Sequence, residues 1–500
     1  MKYVDALLSL GISLPEKYAD IEVSNVRFDS RRTDENSVFV CIVGEETDGH
    51  DYAMSAYGRG CRAFLSEHGL SLPDDAAVAV CGDTRSALAD ISRAVYGYPD
   101  RELTLIGITG TKGKTTTSVY IADILNGAGI PTGCIGSLGV LLPTGKGSIK
   151  MPRTTPTTPE ASDLCEIFAA MRRAGIKAAV MEVSSQALYK ERVRGLIFDT
   201  AVFTNLSPDH IGGAEHPTFE HYRDCKARLF SDFGARRIVY NADDEYADYM
   251  IGRAPAGTEL VSVSALDKSA DFYAHNRENY AKGGMLGTVF DIREKNGASH
   301  KITVRAPGDF SVMNAAAAYA VCKGFGADAD KIGDALSKSS VEGRFEVVDV
   351  LPYATFVIDY AHNELSLRSV LSVLRGYNPT RLTVLVGSVG GRTFSRRAPI
   401  GRAVSELADF CILTADEPDF EDPMKIIGDI LVGFEGRNTP YVAIPDRAEA
   451  VRFAVKNAIP GEIVLLAGKG HEKTQLINGV RVPFSEREIL LEAAKEAETV

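Results

Sequence analysis

A run of glycine, lysine and threonine about one hundred residues into the chain has the composition of a phosphate-binding loop. The segment GTKGKTT, residues 110–116, follows the apolar stretch LTLIGIT and leads into a helix-like apolar pattern. Glycines let backbone N–H groups face an anion, and the helix N-terminus adds positive potential. In this spacing Lys114 meets the terminal phosphates of ATP and Thr115 can hold Mg²⁺. A glycine turn with a helix cap is the alternative interpretation.

Acidic and imidazole side chains follow two further apolar strands. MEVSS places Glu182 at one strand end, and FTNLSPDHI places Asp209 and His210 after the next. Singly, such a glutamate is more often a turn or capping residue, and such a histidine a satisfied polar residue. Because both strands belong to one predicted sheet, their ends should converge beside the phosphate loop. A carboxylate and a neutral imidazole suit Mg²⁺, which would neutralise a phosphate during its transfer.

The rest of the chain supplies the elements that must position these groups. Residues 1–100 contain short β-rich runs and end at the linker-like YGYPDREL. In residues 101–345 apolar strands alternate with amphipathic helices, which predicts a parallel sheet with helices on both faces. ENYAKGGMLGTVFDIREKNGASHKITVRAPGDF predicts a local antiparallel insertion there, and residues 346–500 form a third α/β set. We therefore predict an α/β protein with domains at 1–100, 101–345 and 346–500.

The composition disfavours several functional classes. Five hundred residues with 45% hydrophobic content are too many for one core. A net charge of -12 without a long basic run argues against nucleic acid as a partner. The sequence shows no secretory signal and no apolar run of the ~20 residues that a membrane span needs. Eight scattered cysteines without a CxxC pair are typical of a reducing cytoplasm.

Six motifs occur in the order found in the Mur ligases, the ATP-dependent amino-acid ligases of peptidoglycan synthesis. They are GTKGKTT, MEVSSQAL, FTNLSPDHI, EGRFE, DYAHN and GKGHE. DSRR at 29–32, RTTPTTPE at 153–160 and TADEPDFEDP at 414–423 resemble the member that adds the third residue of the stem peptide. The resemblance covers essentially the whole chain. It implies an N-terminal uridine-nucleotide-binding α/β domain, a central P-loop-type ATPase domain and a C-terminal Rossmann-like domain that binds the amino acid.

The resemblance also implies the reaction. ATP would phosphorylate the terminal carboxylate of UDP-MurNAc-L-Ala-D-Glu, the incoming amine would attack the acyl phosphate, and phosphate would leave. This is a cytoplasmic step of peptidoglycan precursor synthesis, and so of cell-wall biogenesis, cell shape and cell division. Lys226 in HYRDCKARLF would carry a carbamate, although its residue chemistry alone predicts a solvated helix lysine. The implied catalytic residues are Lys114, Glu182, His210 and Lys226, and the implied Mg²⁺ ligands are Thr115, Glu182, His210 and carbamylated Lys226.

The remaining implied residues fall into three groups. Those for ATP are Gly110, Thr111, Lys112, Gly113, Lys114, Thr115, Thr116, Asn314, Arg344 and Asp359. Those for the UDP-MurNAc dipeptide are Ser30, Thr154, Thr155, Ser184 and Arg192. Those for the amino acid are Arg392, Asp416, Glu417, Pro418, Asp419, Gly468 and Glu472. Without the resemblance, DSRR would be interpreted as a turn with surface arginines.

The four residues Asp416–Asp419, here called the acidic tetrad, bear on which amino acid is added. Family members that add meso-diaminopimelate carry Asp-Asn-Pro-Arg here, and the arginine forks onto the distal carboxylate. Asp419 would repel that carboxylate and attract the ammonium of lysine, whereas Glu472 is compatible with either. We predict L-lysine, with meso-diaminopimelate and ornithine as alternatives, because one methylene changes binding only modestly.

Other functional classes fit the sequence less well. A folylpolyglutamate synthetase shares the central and third domains but lacks a first domain like residues 1–100. A regulator or scaffold on this fold would be indicated by loss of Lys114, Glu182 or His210, and all are present. A nucleotide-driven motor would need an arginine-finger arrangement that we do not identify. The ligase is predicted to be a monomer.

Overall fold

The computed structural model describes residues 1–44, 47–149, 156–208, 211–212, 215–282 and 285–498. The chain forms two compact units. The first contains Met1–Tyr273 and Ala317–Ile332, and the second contains Ala274–Ala316 and Gly333–Val500. Within the described residues, no helix is long and apolar enough to cross a membrane.

The strands of the first unit are short, apolar and mostly parallel. They are β1 (Asn25–Arg27), β2 (Ser37–Val40), β3 (Ala63–Ser66), β4 (Ala77–Val80), β5 (Thr104–Thr109), β6 (Thr132–Gly136), β7 (Gly139–Leu141), β8 (Ala178–Glu182), β9 (Phe198–Phe203), β10 (Ala235–Asn241) and β11 (Glu259–Ser264). Strands β1 to β4 pair in chain order, all in parallel. A second sheet follows the order β11-β10-β9-β5-β8-β6-β7, with β7 antiparallel to β6. This order brings the ends of β5, β8 and β9 together, as the sequence predicts.

The helices of the first unit are α1 (Tyr3–Leu7), α2 (Ala53–Gly58), α3 (Thr84–Val95), α4 (Lys114–Gly127), α5 (Ala161–Arg173), α6 (Ser185–Tyr189), α7 (Phe219–Ser231) and α8 (Ala247–Ile251). Short 3-10 turns occur at Leu8–Leu10, Glu16–Tyr18, Ser30–Arg32, Gly49–Tyr52 and Pro99–Glu102. Side-chain caps fix where several helices begin. Asp83 accepts hydrogen bonds from backbone N–H groups in the first turn of α3, and Thr218 accepts one from the first turn of α7. Apolar residues from α5, α7 and the second sheet, such as Phe168, Phe198 and Phe230, form a buried core.

Three elements have residues in both units: β12 (Phe272–Lys282), α9 (Asp309–Gly324) and α10 (Ala329–Lys338). In the second unit, β13 (Met285–Glu294) and β14 (Ser299–Val304) form an antiparallel pair, which confirms the predicted insertion. The further strands are β15 (Glu346–Leu351), β16 (Ala354–Asp359), β17 (Leu382–Val386), β18 (Phe410–Leu413), β19 (Tyr441–Ala443), β20 (Ile463–Ala467), β21 (Thr474–Ile477) and β22 (Val480–Pro483).

The main sheet of the second unit has the order β15-β16-β20-β17-β18-β19, and only β15 is antiparallel to its neighbour. Its helices are α11 (Glu364–Arg375), α12 (Phe394–Leu407), α13 (Pro423–Leu431), α14 (Arg447–Lys456) and α15 (Glu486–Glu498), with a 3-10 turn at Val432–Phe434. Neighbouring residues of one strand face different cores: Val384 packs with residues of α11 to α13, and Leu385 packs with residues of α14 and α15. Helices therefore cover both faces of this sheet. Strands β21 and β22 form a separate antiparallel hairpin.

Candidate active site

The predicted phosphate loop connects β5 to α4 in the first unit. Gly113 has φ +85° directly before the helix, a conformation that favours glycine. A Cβ on Gly110 would collide with the hydroxyl of Thr204, which follows β9. The backbone N–H of Lys112 donates to the side-chain oxygen of Asn205 over 2.9 Å. The end of β9 therefore holds the loop in shape, and sequence reasoning had not identified Thr204 or Asn205.

Two lysine ammonium groups converge on one carbonyl oxygen of this loop. Lys114 Nζ lies 2.7 Å from the oxygen of Gly110, and Lys226 Nζ lies 2.8 Å from the same oxygen. Lys226 is only 2% exposed and its ammonium lies 4.5 Å from the ring centre of Tyr222. The prediction of a solvated lysine from residue chemistry is therefore wrong, because α7 turns this side chain toward the loop. Both amines therefore lie at the loop where a phosphate would bind.

Glu182, the last residue of β8, contacts the first turn of α4. Its Oε1 accepts a hydrogen bond from Thr115 Oγ1 over 2.9 Å and another from the backbone N–H of Ser137 over 2.8 Å. The side chain is 1% exposed, and a Cβ on Gly136 would collide with its carboxylate. A hydroxyl and a carboxylate side by side are hard oxygen donors, so the pair fits Mg²⁺. Predicted His210 lies outside the described residues, as do Thr154 and Thr155.

Residues predicted to bind the dipeptide lie near this edge. Thr158 Oγ1 lies 3.3 Å from Ser184 Oγ, and the Thr158 carbonyl accepts from Arg192 over 3.2 Å. Arg192 also donates to Glu160 over 2.8 Å, so its guanidinium already has an anionic partner. Thr158 thus brings Ser184 and Arg192 together. Ser30 is buried separately, at the start of the 3-10 turn that follows β1.

Asp359, at the end of β16 in the second unit, holds two neighbouring backbone segments by hydrogen bonds. One carboxylate oxygen accepts the backbone N–H of Phe345 over 2.7 Å, and the other accepts that of Ala361 over 2.9 Å. Burial raises the pKa of Asp359, although these hydrogen bonds oppose that shift. The structure therefore gives this carboxylate a positioning role within the unit.

The other residues predicted for this unit occupy different surroundings. The Arg344 guanidinium stacks on the ring of Tyr360, with 4.6 Å between its central carbon and the ring centre. Asn314 is buried on α9. Arg392 is exposed in the loop after β17, and Gly468 follows β20 with φ +114°. Within the second unit, Gly468 lies near the acidic tetrad, because a Cβ on it would approach Asp416 Oδ2 to 3.2 Å.

Two carboxylates of the acidic tetrad, together with Glu472, surround a fully buried lysine that sequence reasoning missed. Lys469 Nζ lies 2.8 Å from Glu472, 3.4 Å from Asp416 and 3.5 Å from Glu417. Arg481 of β22 adds a second cation, 3.2 Å from Glu417. Lys469 lies between the two glycines of GKGHE, and this pattern was a signal that could have identified it. Arg481 stands outside every motif, and only the fold brings it to the tetrad.

Asp419 closes the tetrad in a left-handed backbone conformation, with φ +50°. Aspartate tolerates this region better than most side chains. Its Oδ1 accepts the backbone N–H of Gly479 over 2.7 Å, which ties the tetrad to the turn between β21 and β22. Pro418 before it is buried. This carboxylate therefore contributes both negative charge and a local structural contact.

Comparisons with known proteins agree with this arrangement. Residues 108–322 match the Mur ligase middle domain, and residues 343–470 match the Mur ligase, glutamate ligase domain. The UDP-N-acetylmuramoyl-L-alanyl-D-glutamate–2,6-diaminopimelate ligase of Caldanaerobacter subterraneus subsp. tengcongensis is 37% identical over 96% of both chains. A ligase of the same name from Solibacter usitatus is 38% identical over 96% of this chain and 95% of its own. A solved structure of such a ligase, 29% identical, superposes with a TM-score of 0.70 over 99% of both chains. The chain belongs to the Mur ligase family.

Proposed function

We propose that the chain is an ATP-dependent ligase that joins a diamino acid to the D-glutamyl carboxylate of UDP-MurNAc-L-Ala-D-Glu, the reaction of the MurE enzymes. The contact between Thr115 and Glu182 carries the proposal, because it sets a buried carboxylate against a phosphate loop. The names of the relatives that match over nearly the whole chain support the same substrate.

The residues at the loop have distinct roles in this proposal. The Lys114 ammonium and the N-terminus of α4 bind the terminal phosphate of ATP. Thr115, Glu182, His210 and carbamylated Lys226 would hold Mg²⁺, which neutralises phosphate charge when bound. The substrate carboxylate attacks that phosphate and becomes an acyl phosphate. The amine of the amino acid then displaces phosphate, so no side chain has to act as a nucleophile.

Carbamylation of Lys226 is supported by the position of its amine. Lys226 Nζ is buried and lies 2.8 Å from the Gly110 oxygen, so a carbamate on it would stand at the phosphate loop where Mg²⁺ is proposed to bind. Protein incubated with ¹³C-labelled bicarbonate should show a carbamate resonance that Lys226→Met removes and that Lys177→Met, at an exposed lysine, retains. A spectrum unchanged by Lys226→Met would contradict the carbamate. Lys226→Ala should be nearly inactive and partly rescued by a short-chain carboxylic acid.

The charge around the acidic tetrad supports L-lysine as the amino acid added. The three carboxylates of the tetrad and that of Glu472 outnumber two cations, Lys469 and Arg481. A net negative surround attracts an ammonium and repels the distal carboxylate of meso-diaminopimelate. The second candidate is meso-diaminopimelate itself, which the relatives' names favour. Arg481 would then have to supply the guanidinium that position 419 lacks.

One assay separates these possibilities. Purified enzyme receives ATP, Mg²⁺ and UDP-MurNAc-L-Ala-D-Glu with lysine, meso-diaminopimelate or ornithine, and ADP and product mass are measured. We expect the highest kcat/KM for lysine. Absence of dipeptide-dependent ADP with every amino acid would refute the ligase. A preference for meso-diaminopimelate would refute only the lysine assignment.

Variants of Asp419 test how the tetrad selects the side chain. Asp419→Asn tolerates the left-handed backbone and keeps an acceptor for Gly479 while removing the charge. Asp419→Arg adds a fork for a carboxylate but adds backbone strain of about 1–2 kcal/mol. We expect the ratio of kcat/KM for lysine to kcat/KM for diaminopimelate to fall in Asp419→Asn. In Asp419→Arg this ratio should fall about 10- to 100-fold, since a charged hydrogen bond contributes about 1.5–3 kcal/mol. Unchanged ratios would show that Asp419 does not read the side chain.

The proposal also assigns the three predicted domains. Residues 1–100 would bind the UDP-sugar, residues 101–345 would bind ATP, and residues 346–500 would bind the amino acid. We propose a cytoplasmic monomer. Sedimentation of the pure protein should then give the chain mass of 53.9 kDa, and a concentration-independent multiple of it would contradict the monomer.

A further inference from the structure

Two histidines and a cysteine of the first unit come together beside α7, outside the set of residues assigned to Mg²⁺. His221 and Cys225 are four residues apart on α7 and therefore share one face of it. His216 precedes the helix and is completely buried, Cys225 is 5% exposed, and His221 is half-buried. Within the described part of the chain, these three are the one group of His, Cys, Asp or Glu side chains whose ligand atoms could surround an ion.

The distances within this group are close to those of a metal site. The Nδ1 atoms of His216 and His221 are 2.9 Å apart, and Cys225 Sγ is 3.8 Å from each ring nitrogen of His221. All three ligand atoms lie within 4.8 Å of one another. Bond lengths of about 2.0–2.3 Å place the ligand atoms of a tetrahedral zinc site about 3.3–3.6 Å apart. Binding would therefore require the two Nδ1 atoms to move apart and Cys225 Sγ to move toward His221.

The surroundings orient His216 as a ligand. Its other ring nitrogen, Nε2, lies 2.8 Å from the hydroxyl of Ser185, which is itself buried at the start of α6. Metal-bound histidines characteristically use their second nitrogen in such a hydrogen bond, which fixes the ring and its tautomer. Gln186 donates over 2.7 Å to the backbone oxygen of Glu215, which holds the residue before His216 in place.

The donor chemistry identifies the class of ion. Two imidazole nitrogens and one thiolate sulfur match borderline-soft cations, whereas Mg²⁺ prefers oxygen. We propose that His216, His221 and Cys225 form a binding site for a cation of the Zn²⁺ class, with one coordination position left for water. On binding, the Cys225 thiol releases its proton to solvent and its sulfur bonds the metal. The ion would tie the segment before α7 to the helix that carries Lys226.

Cobalt provides a direct probe of this site. Full-length protein is stripped with a chelator and titrated with Co²⁺ in excess Mg²⁺, so that oxygen sites are occupied. We expect a thiolate-to-cobalt charge-transfer band that saturates at one equivalent and disappears when Zn²⁺ is added. A wild-type protein that binds Co²⁺ without this band, or does not bind it, would overturn the proposal whatever the variants do.

Variants assign the band to the three residues. Cys225→Ser should remove the band and weaken Zn²⁺ binding more than about 100-fold. Ser185→Ala removes only the hydrogen-bond partner of His216, so it should weaken Zn²⁺ binding by about 10- to 100-fold. Cys81→Ser, a cysteine after β4, is the matched control and should keep the band. His221→Asn, at the half-buried position, tests the site if Cys225→Ser does not fold. An unchanged band and Zn²⁺ affinity in folded Cys225→Ser or His221→Asn would show that the cluster is only hydrogen-bonded.

Discussion

Replacing Glu182 by glutamine removes one buried charge while preserving the shape of the side chain. If the amide oxygen takes the place of Oε1, it can still accept hydrogen bonds from Thr115 Oγ1 and from the Ser137 N–H. With the wild-type carboxylate these bonds measure 2.9 and 2.8 Å. Each bond changes from charge-assisted to neutral, a loss of about 1 kcal/mol. The removal of a desolvated carboxylate offsets part of that loss. The expected cost is therefore at most about 2 kcal/mol, or a Tm decrease of about 4–8 °C.

Activity should respond far more strongly than stability. If Glu182 helps to hold Mg²⁺ against the phosphates, Glu182→Gln should lower kcat by about 10²-fold or more and raise the Mg²⁺ concentration required. ADP release is measured against Mg²⁺ concentration, and circular dichroism follows thermal unfolding. Glu166→Gln is the matched control, because Glu166 lies on α5, is 42% exposed and pairs with Arg27 and Arg32 rather than with the phosphate loop. A folded Glu182→Gln enzyme with the wild-type Mg²⁺ dependence would refute the metal assignment.

Two further predictions concern the second unit. Arg447→Met should lower the free energy of unfolding by about 3–5 kcal/mol, because Glu486, its buried partner at 2.7 Å, would lose its ion pair. Arg452→Met, at an exposed ion pair on the same helix, is the control and should lower it by about 1 kcal/mol or less. Equal urea midpoints for the two variants would contradict this prediction. Arg397 lowers the pKa of Glu421 from 4.5 to about 2, so the stability it contributes is present above pH 4.5 and is lost as the pH falls toward 2. Urea unfolding of Glu421→Gln should therefore differ from wild type at pH 6, and the difference should shrink below pH 4.5 and vanish only as the pH approaches 2. A constant difference would contradict the linkage.

Local patterns were sufficient to predict the phosphate loop and the sheets around it. GTKGKTT follows β5 and opens α4, and Glu182 reaches Thr115 because parallel strands end at one edge. The antiparallel insertion was likewise readable from its turn-rich sequence. In these cases each motif is short enough to be seen in one sequence window, and the order of parallel strands brings the motifs together.

Burial of charged groups was not predictable in this way. Lys226 is surrounded by charged residues in HYRDCKARLF, and it is buried because Gly110, 116 positions earlier, offers its carbonyl oxygen. Arg481 meets Glu417 across 64 positions, through the β21–β22 hairpin. Such pairs depend on tertiary contacts that leave no periodic trace in the chain. Lys469 is the exception, since its motif was visible and only its role was missed.

The transfer of oxygen from substrate to phosphate tests the central claim most directly. UDP-MurNAc-L-Ala-D-Glu carrying ¹⁸O in the D-glutamyl carboxylate is incubated with enzyme, ATP, Mg²⁺ and lysine, and the released phosphate is analysed by mass spectrometry. Attack of the carboxylate on ATP predicts that each phosphate released contains one oxygen atom from the substrate. Phosphate without ¹⁸O, formed at the same rate as the product, would contradict the acyl-phosphate ligase that the phosphate loop and Glu182 are proposed to serve.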